Sequence, residues 1–389
     1  MTSVVIIGGG PGGYEAALVA RQLGADVTVI DRDGLGGAAV LTDVVPSKGL
    51  ISVAEVLTRF RESARLGIDS ESLATVNLNA VNERLRRLAA QQSADIHARL
   101  NNEQITVVRG TATLTSDREV LVSSDAGEYG LSADIVLIAT GAQPRVLATA
   151  IPDGRRILTW KQLYDLEELP QHLIVVGSGV TGAEFASAYH ALGSEVTLVS
   201  SREHVLPGQD SDAAQVIEEV FARRGITVVS KARAESVQAG SDGVRVQLAD
   251  GRVIEGSHCL MAVGSLPNTS GLGLDAAGVE TDERGFVQVD RVSRTSARGV
   301  YAAGDCTGVE MLASVAAMQG RIAMWHALGD AVTPLDLDTV AACIFTDPEI
   351  ASVGITQRHV LSGDVEAEVM VLPLRTNADR KSTRLNSSH

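Results

Sequence analysis

The sequence has few cysteines, few aromatic residues and no long hydrophobic runs, and these shortages exclude several classes of protein. Its 389 residues include three cysteines, Cys259, Cys306 and Cys343, which lie far apart and form no Cys-x-x-Cys pair. We therefore expect neither a disulfide framework nor a metal site, and interpret each cysteine as a small, mostly buried side chain. Because no run of about 18 apolar residues is present, no transmembrane helix is expected.

Basic residues are also scarce relative to acidic ones. The chain carries 48 Asp and Glu against 33 Lys and Arg, a net charge of −15. This balance disfavours binding to nucleic-acid phosphates or to an anionic membrane, so neither is expected as a partner. The basic run "RLRR" at 84–87 is interpreted as the solvated face of a helix. The N-terminus lacks the features of a signal peptide, and we expect a cytoplasmic protein of two or three domains.

The N-terminal segment carries a dinucleotide-binding fingerprint. The apolar run Val4 to Ile7 predicts a buried parallel strand, a segment with helical spacing follows, and a second strand from Val27 to Ile30 ends in Asp31. The G-x-G-x-x-G positions after the first strand hold Gly8, Gly10 and Gly13. Such glycines permit a tight turn and the close approach of a pyrophosphate, the helix N-terminus attracts the phosphates, and the acid binds a ribose hydroxyl. The order of these parts predicts a dinucleotide site.

A second copy of the pattern lies about 170 residues further on. The strand Leu173 to Val176 precedes the glycines, and the strand Val196 to Val199 follows the helix; the glycines are Gly177, Gly179 and Gly182. The second strand ends in Ser200, Ser201 and Arg202 where the first copy has an acid. Hydroxyls beside an arginine tolerate the 2′-phosphate of NADP, which an acid repels. We expect a second site that favours NADPH, although use of both nucleotides, or an Arg202 that merely faces solvent, stays open.

Seven motifs in this order resemble the pyridine nucleotide-disulfide oxidoreductase family, the lipoamide dehydrogenase-like flavoproteins. The likeness runs from residue 1 to about 378 and is similar in detail to a branch of NAD(P)H:quinone reductases that lack the cysteine pair. The motifs are "GGGPGGYEAA", "GG…PSK" at 36–48, "ATG" at 139–141, "GSGVTGAEFA", "VGSLPNTSGLGL" at 263–274, "TSARGVYAAGDC" at 295–306 and "IFTDPEIASVGIT" at 344–356.

The resemblance implies FAD and NAD(P)H as cofactors and assigns residues to each. The residues implied for FAD are Gly8, Gly10, Gly13, Asp31, Gly36, Gly37, Lys48, Thr140, Gly141, Gly304, Asp305 and Ala313. Those implied for NAD(P) are Gly177, Gly179, Gly182, Glu184, Ser200, Arg202 and Gly264. Asp305 would accept hydrogen bonds from the ribityl chain, and a helix starting near Leu312 would direct its N-terminal dipole at the flavin. Lys48, one of only four lysines, would reach the flavin N5 region and pair with Glu184 as the catalytic residues.

The resemblance also implies a fold and a domain order. The expected fold class is α/β, with two three-layer Rossmann-like domains followed by the start of an α+β dimerisation domain. Residues 1–145 with 265–335 would form the FAD domain, 146–264 the NAD(P) domain and 336–378 the start of the dimerisation domain. The full-length protein would be a homodimer. The polar segment 379–389 is similar to a translated sequencing adapter and is interpreted as an artefact on a truncated chain; a natural disordered terminus is the alternative.

The segment around residue 40 decides the expected reaction. Disulfide-reducing members of the family carry a Cys-x-x-x-x-Cys pair, and alignment on 36–37 and 46–48 places Ala39 and Val44 at those two positions. Neither side chain can form a thiolate, so disulfide reduction by the family mechanism is excluded. We expect hydride transfer from NAD(P)H to FAD and electron transfer to a quinone-like diffusible acceptor. A soluble pyridine nucleotide transhydrogenase and a low-turnover flavin-binding redox sensor remain as alternatives.

Overall fold

The structure is a computed structural model that describes residues 1–63, 67 and 74–373. The segment 379–389 interpreted as an artefact lies outside the described residues. The chain forms two compact units, one built from residues 1–47, 84–145 and 265–340, the other from 48–83, 146–264 and the residues from 341 onward. The assignment of FAD, NAD(P) and dimerisation domains to the chain stays a prediction.

The helices and strands are numbered along the chain. The strands are β1 Ser3–Ile7, β2 Asp26–Asp31, β3 Thr106–Leu114, β4 Glu119–Ser124, β5 Gly127–Ser132, β6 Ile135–Ile138, β7 Ala142–Pro144, β8 Ile157–Leu158, β9 His172–Val176, β10 Glu195–Val199, β11 Thr227–Val229, β12 Ala234–Ala239, β13 Val244–Leu248, β14 Val253–Gly256, β15 His258–Met261, β16 Ser265–Pro267, β17 Val300–Ala302, β18 Ala341–Ile344 and β19 Ile350–Val353. The α-helices are α1 Pro11–Gln22, α2 Gly37–Leu41, α3 Val44–Glu62, α4 Leu78–Asn102, α5 Val180–Leu192, α6 Ser211–Arg224, α7 Leu274–Ala277, α8 Ala313–Ala327 and α9 Gln357–Leu361. Short 3₁₀ helices cover Trp160–Asp165, Asp305–Thr307 and Leu337–Thr339.

The first unit is built on a seven-stranded sheet of order β17-β6-β1-β2-β3-β4-β5. The strands from β17 to β3 are parallel, and β3, β4 and β5 form an antiparallel meander. The central strands are buried on both faces and therefore consist of continuous apolar residues, as in Val4 to Ile7. Helices α1 and α8 pack so closely that a Cβ at Gly320 would overlap the carbonyl of Gly12. The lack of a side chain at Gly320 permits this approach.

The second unit repeats the parallel arrangement on a smaller scale. Its five-stranded sheet has the order β11-β10-β9-β15-β8, with every neighbouring pair parallel. A three-stranded antiparallel sheet, β12-β13-β14, packs on it through a shared apolar cluster that includes Ile174, Val237 and Val246. The hairpin β18-β19 belongs to this unit as well. The predicted α/β fold class is confirmed, and the four strands expected beside the glycine motifs each lie within one residue of their predicted bounds.

Three further expectations are tested by the described residues. Arg84, Arg86 and Arg87 of the "RLRR" run lie exposed on α4, as predicted. Cys259 and Cys306 are buried, but Cys343 is exposed, because it lies on the two-stranded hairpin rather than in a core; the expectation of burial is wrong for this cysteine. No helix among the residues described here is long and apolar enough to cross a membrane.

Candidate cofactor sites

The first glycine motif forms a tight turn between β1 and α1. Gly8 has φ +106°, and a Cβ there would overlap the carbonyl of Ala139. A Cβ at Gly13 would overlap the carbonyl of Gly8, so this glycine lets α1 pack against the turn. At Gly10 the nearest heavy atom to a Cβ is 3.9 Å away, which leaves open space beside the backbone. Two glycines thus shape the turn, while the third keeps it accessible to a ligand.

Asp31 at the end of β2 uses most of its carboxylate to hold the same turn. Its Oδ2 accepts a hydrogen bond from Gly9 N at 2.6 Å, and its Oδ1 accepts bonds from Asp33 N at 2.9 Å and Gly34 N at 2.6 Å. A carboxylate offers about four lone-pair sites, so roughly one remains for a ligand hydroxyl. The ribose contact expected of Asp31 stays a prediction, and the structure adds a second task, the shaping of the loop.

The "GG" of the segment 36–48 closes onto the first glycine motif. Gly36 N donates to Gly9 O at 2.8 Å, and Gly37, at φ +56°, lies so close that a Cβ would be 2.8 Å from Gly10 Cα. Both glycines adopt the left-handed backbone region that other residues avoid. The open space at Gly10 is therefore bounded on one side by Gly37 backbone.

Asp305 and its neighbours form a polar cluster within the same unit. Burial, with a smaller contribution from the charge of Asp43, raises the pKa of Asp305 to about 6. Within the described part of the chain, no other side chain donates a hydrogen bond to this carboxylate. The hydroxyl of Thr140 is buried beside the Cys306 thiol and makes no hydrogen bond of good geometry within that part. Unpartnered buried groups of this kind suit a polar ligand that supplies the missing hydrogen bonds.

Helix α8 begins at Ala313, one residue beyond the start that the sequence predicts, with Leu312 as its N-cap. Neither α1 nor α8 has a side chain of the described residues capping its first turn, so their N-terminal N–H groups can bind an anion or a carbonyl. Together with the open backbone at Gly10 and the unpartnered oxygens of Thr140 and Asp305, these groups fit a cofactor that carries phosphates and hydroxyls. Gly141 and Gly304 adopt positive φ values of 67° and 83°.

The second glycine motif repeats this geometry in the second unit. Gly177 has φ +113° and a Cβ there would overlap the carbonyl of Ala262, whereas a Cβ at Gly179 would meet no described atom within 4 Å. Gly182 lets α5 approach the turn, since its Cβ would overlap Gly177 O. Gly264, with φ +95°, also faces open space. The repeated open glycine at the start of a helix suits a second pyrophosphate.

Ser200 and Arg202 differ in what they can contact. The Ser200 hydroxyl is fully buried, 2.7 Å from Ser178 Oγ, and it also bonds to the backbone N and O of Arg202. It is therefore committed to the turn. Ser201 and Arg202 are exposed, so they are the side chains of this segment that can contact a 2′-phosphate. Arg202 also lines a cavity of about 320 Å³ together with His204 and α9.

Lys48 and Glu184 lie together in the second unit. Lys48 Nζ is 2.8 Å from Glu184 Oε2, and the exposed fraction is 33% for the lysine side chain and 5% for the glutamate. Glu184 Oε1 accepts a hydrogen bond from Phe345 N at 2.9 Å. The Lys48 ammonium lies over the Phe345 ring, 5.0 Å from its centroid. The pairing implied by the resemblance is present, and its place beside a flavin stays a prediction.

The positions of the family's cysteine pair hold no sulfur. Ala39 lies partly buried on α2, and Val44, 37% exposed, is the first residue of α3. Cys306, also in the first unit, is fully buried, its Sγ lies 3.3 Å from Ala303 O, and burial raises the pKa of its thiol to about 11. Burial also raises the pKa of Cys259. Neither buried thiol is ionised near neutral pH, so neither substitutes for the missing pair.

Sequence reasoning missed three residues that the structure brings into these clusters. Gln319 is buried and its Oε1 accepts a hydrogen bond from Gly304 N at 2.8 Å, which fixes the turn before Asp305. Asp43 acts electrostatically on Asp305. Phe345 contacts both members of the Lys48–Glu184 pair. Asp43 and Phe345 lie within the family motifs at 36–48 and 344–356, but no pattern of residue types indicated which residues they contact.

Known proteins resemble this chain over most of its length. The family model described as pyridine nucleotide-disulphide oxidoreductase matches residues 2–320. An NAD(P)H dehydrogenase (quinone) from Mycobacterium tuberculosis is 53% identical over 99% of this chain and 80% of its own length. A dihydrolipoyl dehydrogenase from Chlorobaculum parvum is 36% identical over 92% of this chain and 77% of its own. Among solved structures, LpdA from Mycobacterium tuberculosis superposes with a TM-score of 0.93 and 53% identity, covering 98% of this chain and 84% of that one.

Proposed function

The chain belongs to the pyridine nucleotide-disulphide oxidoreductase family, and from that premise we propose that it is an NAD(P)H dehydrogenase that reduces a quinone-like diffusible acceptor. It is an oxidoreductase whose cofactors are FAD and NAD(P)H. The relative from Mycobacterium tuberculosis carries the name NAD(P)H dehydrogenase (quinone). The acceptor and the residues that serve it in this chain are part of the proposal.

One observation carries the choice of acceptor. The two positions at which disulfide-reducing members hold their cysteines are Ala39 and Val44, and the two buried thiols, Cys259 and Cys306, are held protonated by burial. A substrate disulfide needs an attacking thiolate, so it cannot be the acceptor here. Small apolar side chains at these positions leave a site that suits a flat, uncharged molecule.

The residues of the two glycine sites and of the Lys48–Glu184 pair have distinct tasks in this proposal. When bound, FAD supplies the redox chemistry, taking a hydride from NAD(P)H and giving the electrons to the acceptor. The N-terminus of α1 and the open backbone at Gly10 hold the FAD pyrophosphate, and Asp305 accepts hydrogen bonds from hydroxyls of the same cofactor. The N-terminus of α5, with the open backbone at Gly179, holds the pyrophosphate of NAD(P)H. Lys48, held by Glu184, presents a positive charge that stabilises negative charge developing near it.

Steady-state kinetics with menadione and benzoquinone test the proposal on the FAD-loaded protein. We expect NAD(P)H oxidation to run at least about tenfold faster with the quinone than with dissolved oxygen alone, with the parallel-line pattern of a ping-pong reaction. Turnover no faster than the oxygen background would reject the quinone acceptor. Reduction of an NAD analogue by NADPH without quinone would instead indicate a transhydrogenase. Slow or absent reduction of bound FAD by NAD(P)H would indicate a redox sensor.

The homodimer and the cytoplasmic location also belong to the proposal. Val353, Ile355 and Leu361, in and after the hairpin β18-β19, are 63%, 53% and 78% exposed. Apolar side chains exposed in one region favour burial against another chain, which supports a homodimer. Analytical ultracentrifugation of the FAD-loaded full-length protein tests this, and a monomer at micromolar concentration would argue against it.

A further inference from the structure

Phe345 contacts both charged groups of the Lys48–Glu184 pair, each through a different part of the residue. Its backbone N–H donates to Glu184 Oε1 at 2.9 Å, while Glu184 Oε2 binds Lys48 Nζ at 2.8 Å. Its ring lies beneath the same ammonium, 5.0 Å from Nζ to the centroid. The three residues therefore form a closed set of contacts, in which the carboxylate is fixed at both oxygens and the ammonium is held by two groups.

The backbone on which Phe345 lies is itself fixed within the second unit. Asp347 N donates to Ser187 Oγ on α5 at 3.3 Å, and Arg224 on α6 donates to both the carbonyl and the carboxylate of Asp347 at 2.7 Å. Thr346, between the two, is 2% exposed. A ring carried by so constrained a segment can define the position of a flexible side chain that packs on it.

Lys48 needs such a constraint. Its side chain is one-third exposed, it has four rotatable carbon–carbon bonds, and an ammonium is a point charge that binds a carboxylate from many directions. An ion pair with Glu184 alone leaves the ammonium free to move around the oxygen. An aromatic face attracts a cation within about 6 Å of its centroid and selects one side of the carboxylate.

We propose that Phe345 is a positioning residue for Lys48: its ring contacts the ammonium and its amide fixes Glu184, and together they hold the ammonium in the orientation that the reaction requires. The inference rests on the proposed function, because it assigns Lys48 to the flavin. The ring contributes through its π face, so a tyrosine at position 345 preserves the effect and a leucine of similar size does not.

The scarcity of lysine makes a direct test possible. Reductive methylation with ¹³C-formaldehyde labels the lysines of the holoenzyme, which has only four, and keeps their charge. An N-methyl group above an aromatic ring has its proton resonance shifted upfield. We expect one of the lysine signals to be shifted in this way and to disappear in Lys48→Arg. The shift should be lost in Phe345→Leu and kept in Phe345→Tyr.

A matched control removes a different ring that lies beneath a cation. Phe286 lies in the first unit with the Arg284 guanidinium 5.0 Å from its centroid. Phe286→Leu should leave the Lys48 signal in place. If no lysine signal of the parent protein is shifted upfield, the inference is overturned without any variant, so the test does not depend on how well Phe345→Leu folds.

The rate at which NADPH reduces bound FAD provides a second measurement. A cation–π contact at a partly exposed site corresponds to a factor of about three to ten in rate. Phe345→Leu should slow FAD reduction by that factor, and Phe345→Tyr should restore it. Equal rates in Phe345→Leu and the parent protein would overturn the inference. Because neither the NMR signal nor this half-reaction involves the acceptor, failure of the quinone proposal would be recognised separately.

Discussion

Lys48 and Glu184 form an ion pair of 2.8 Å in which the glutamate is almost inaccessible to water and the lysine is not. The carboxylate at 5% exposure has lost most of its hydration, which Lys48 and the Phe345 amide replace. A buried charge that loses its partner is costly, because no water takes the partner's place. The pair therefore contributes to stability as well as to the proposed reaction.

Lys48→Met should lower the free energy of unfolding by about 1–2 kcal/mol, a value reduced from that of a fully buried pair because Lys48 is one-third exposed. Urea unfolding followed by circular dichroism measures the change. Lys161→Met, at an exposed lysine of the same unit, is the matched control and should change stability by a few tenths of a kcal/mol at most. An equal loss in both variants would mean that the pair adds nothing.

Gly37→Ala should destabilise the first unit and release FAD. The substitution adds a Cβ 2.8 Å from Gly10 Cα and places a non-glycine residue at φ +56°. Gly24→Ala separates the two effects, since Gly24 has φ +84° but no described atom within 4 Å of the added Cβ. The control should cost about 1–2 kcal/mol for its backbone alone, and Gly37→Ala should cost more. Thermal unfolding and the A450/A280 ratio after gel filtration report stability and FAD content, and a normal ratio in Gly37→Ala would contradict the predicted contact.

Asp305→Asn should have an effect on stability that depends on pH. Burial and the charge of Asp43 raise the pKa of Asp305 from 3.8 to about 6 in the folded protein. The folded state thus favours the protonated acid. The stability of the folded protein that depends on protonated Asp305 is therefore fully present below about pH 4 and is lost as the pH rises through 6. The neutral asparagine should stabilise cofactor-depleted protein by up to about 3 kcal/mol at pH 8, and by progressively less as the pH falls below 6.

Thermal unfolding across pH 5 to 8 measures this effect. Asp43→Asn is the second arm: it should lower the pKa of Asp305 and so reduce the gain in stability that Asp305→Asn gives at pH 8. A gain from Asp305→Asn that stays constant between pH 5 and 8 would contradict the assignment. The same substitution should weaken FAD binding, because a charged acceptor is replaced by a neutral amide.

The sequence was sufficient for the fold because the glycine motifs constrain backbone rather than side chains. Gly8 and Gly177 each lie where a Cβ would overlap the carbonyl of the residue that follows a neighbouring strand, Ala139 after β6 and Ala262 after β15, so the residue type indicates the backbone geometry directly. The flanking strands are apolar throughout because both faces of a parallel sheet are buried. At such positions the sequence pattern therefore predicts the backbone structure.

Side-chain partners were predictable only where a family pattern supplied them. Ser200 was expected to face a nucleotide, yet its hydroxyl is buried against Ser178, because the strand end turns the side chain inward. Phe345 lies 161 residues from the glutamate it anchors, and no local spacing reports a contact of that range. The electrostatic interaction between Asp43 and Asp305 likewise joins residues that lie far apart in the sequence.

Arg202→Ala should raise KM for NADPH about tenfold and leave KM for NADH nearly unchanged, since a charge-assisted contact to the 2′-phosphate accounts for roughly that factor. Arg202 is exposed at the end of β10, where the first glycine motif has an acid. Arg233→Ala, at another exposed arginine of the same unit, should affect neither nucleotide. Steady-state kinetics with both nucleotides decide the point. If KM rises equally for NADPH and NADH, Arg202 does not bind the 2′-phosphate of NADPH.

Restoring thiols at positions 39 and 44 should return the optical signature of the disulfide-reducing branch. Val44 is the first residue of α3, and a helix N-terminus lowers the pKa of a thiol placed there. Val44→Cys alone should therefore give a long-wavelength thiolate–flavin band in the oxidised protein, whereas Ala39→Cys alone should give none. The double variant should acquire the band only after two-electron reduction opens the new disulfide. Visible spectra during anaerobic NADPH titration measure this, with Val44→Ser as the control. A double variant without the band would mean that position 44 does not adjoin the flavin, and the argument from Ala39 and Val44 to a quinone acceptor would lose its basis.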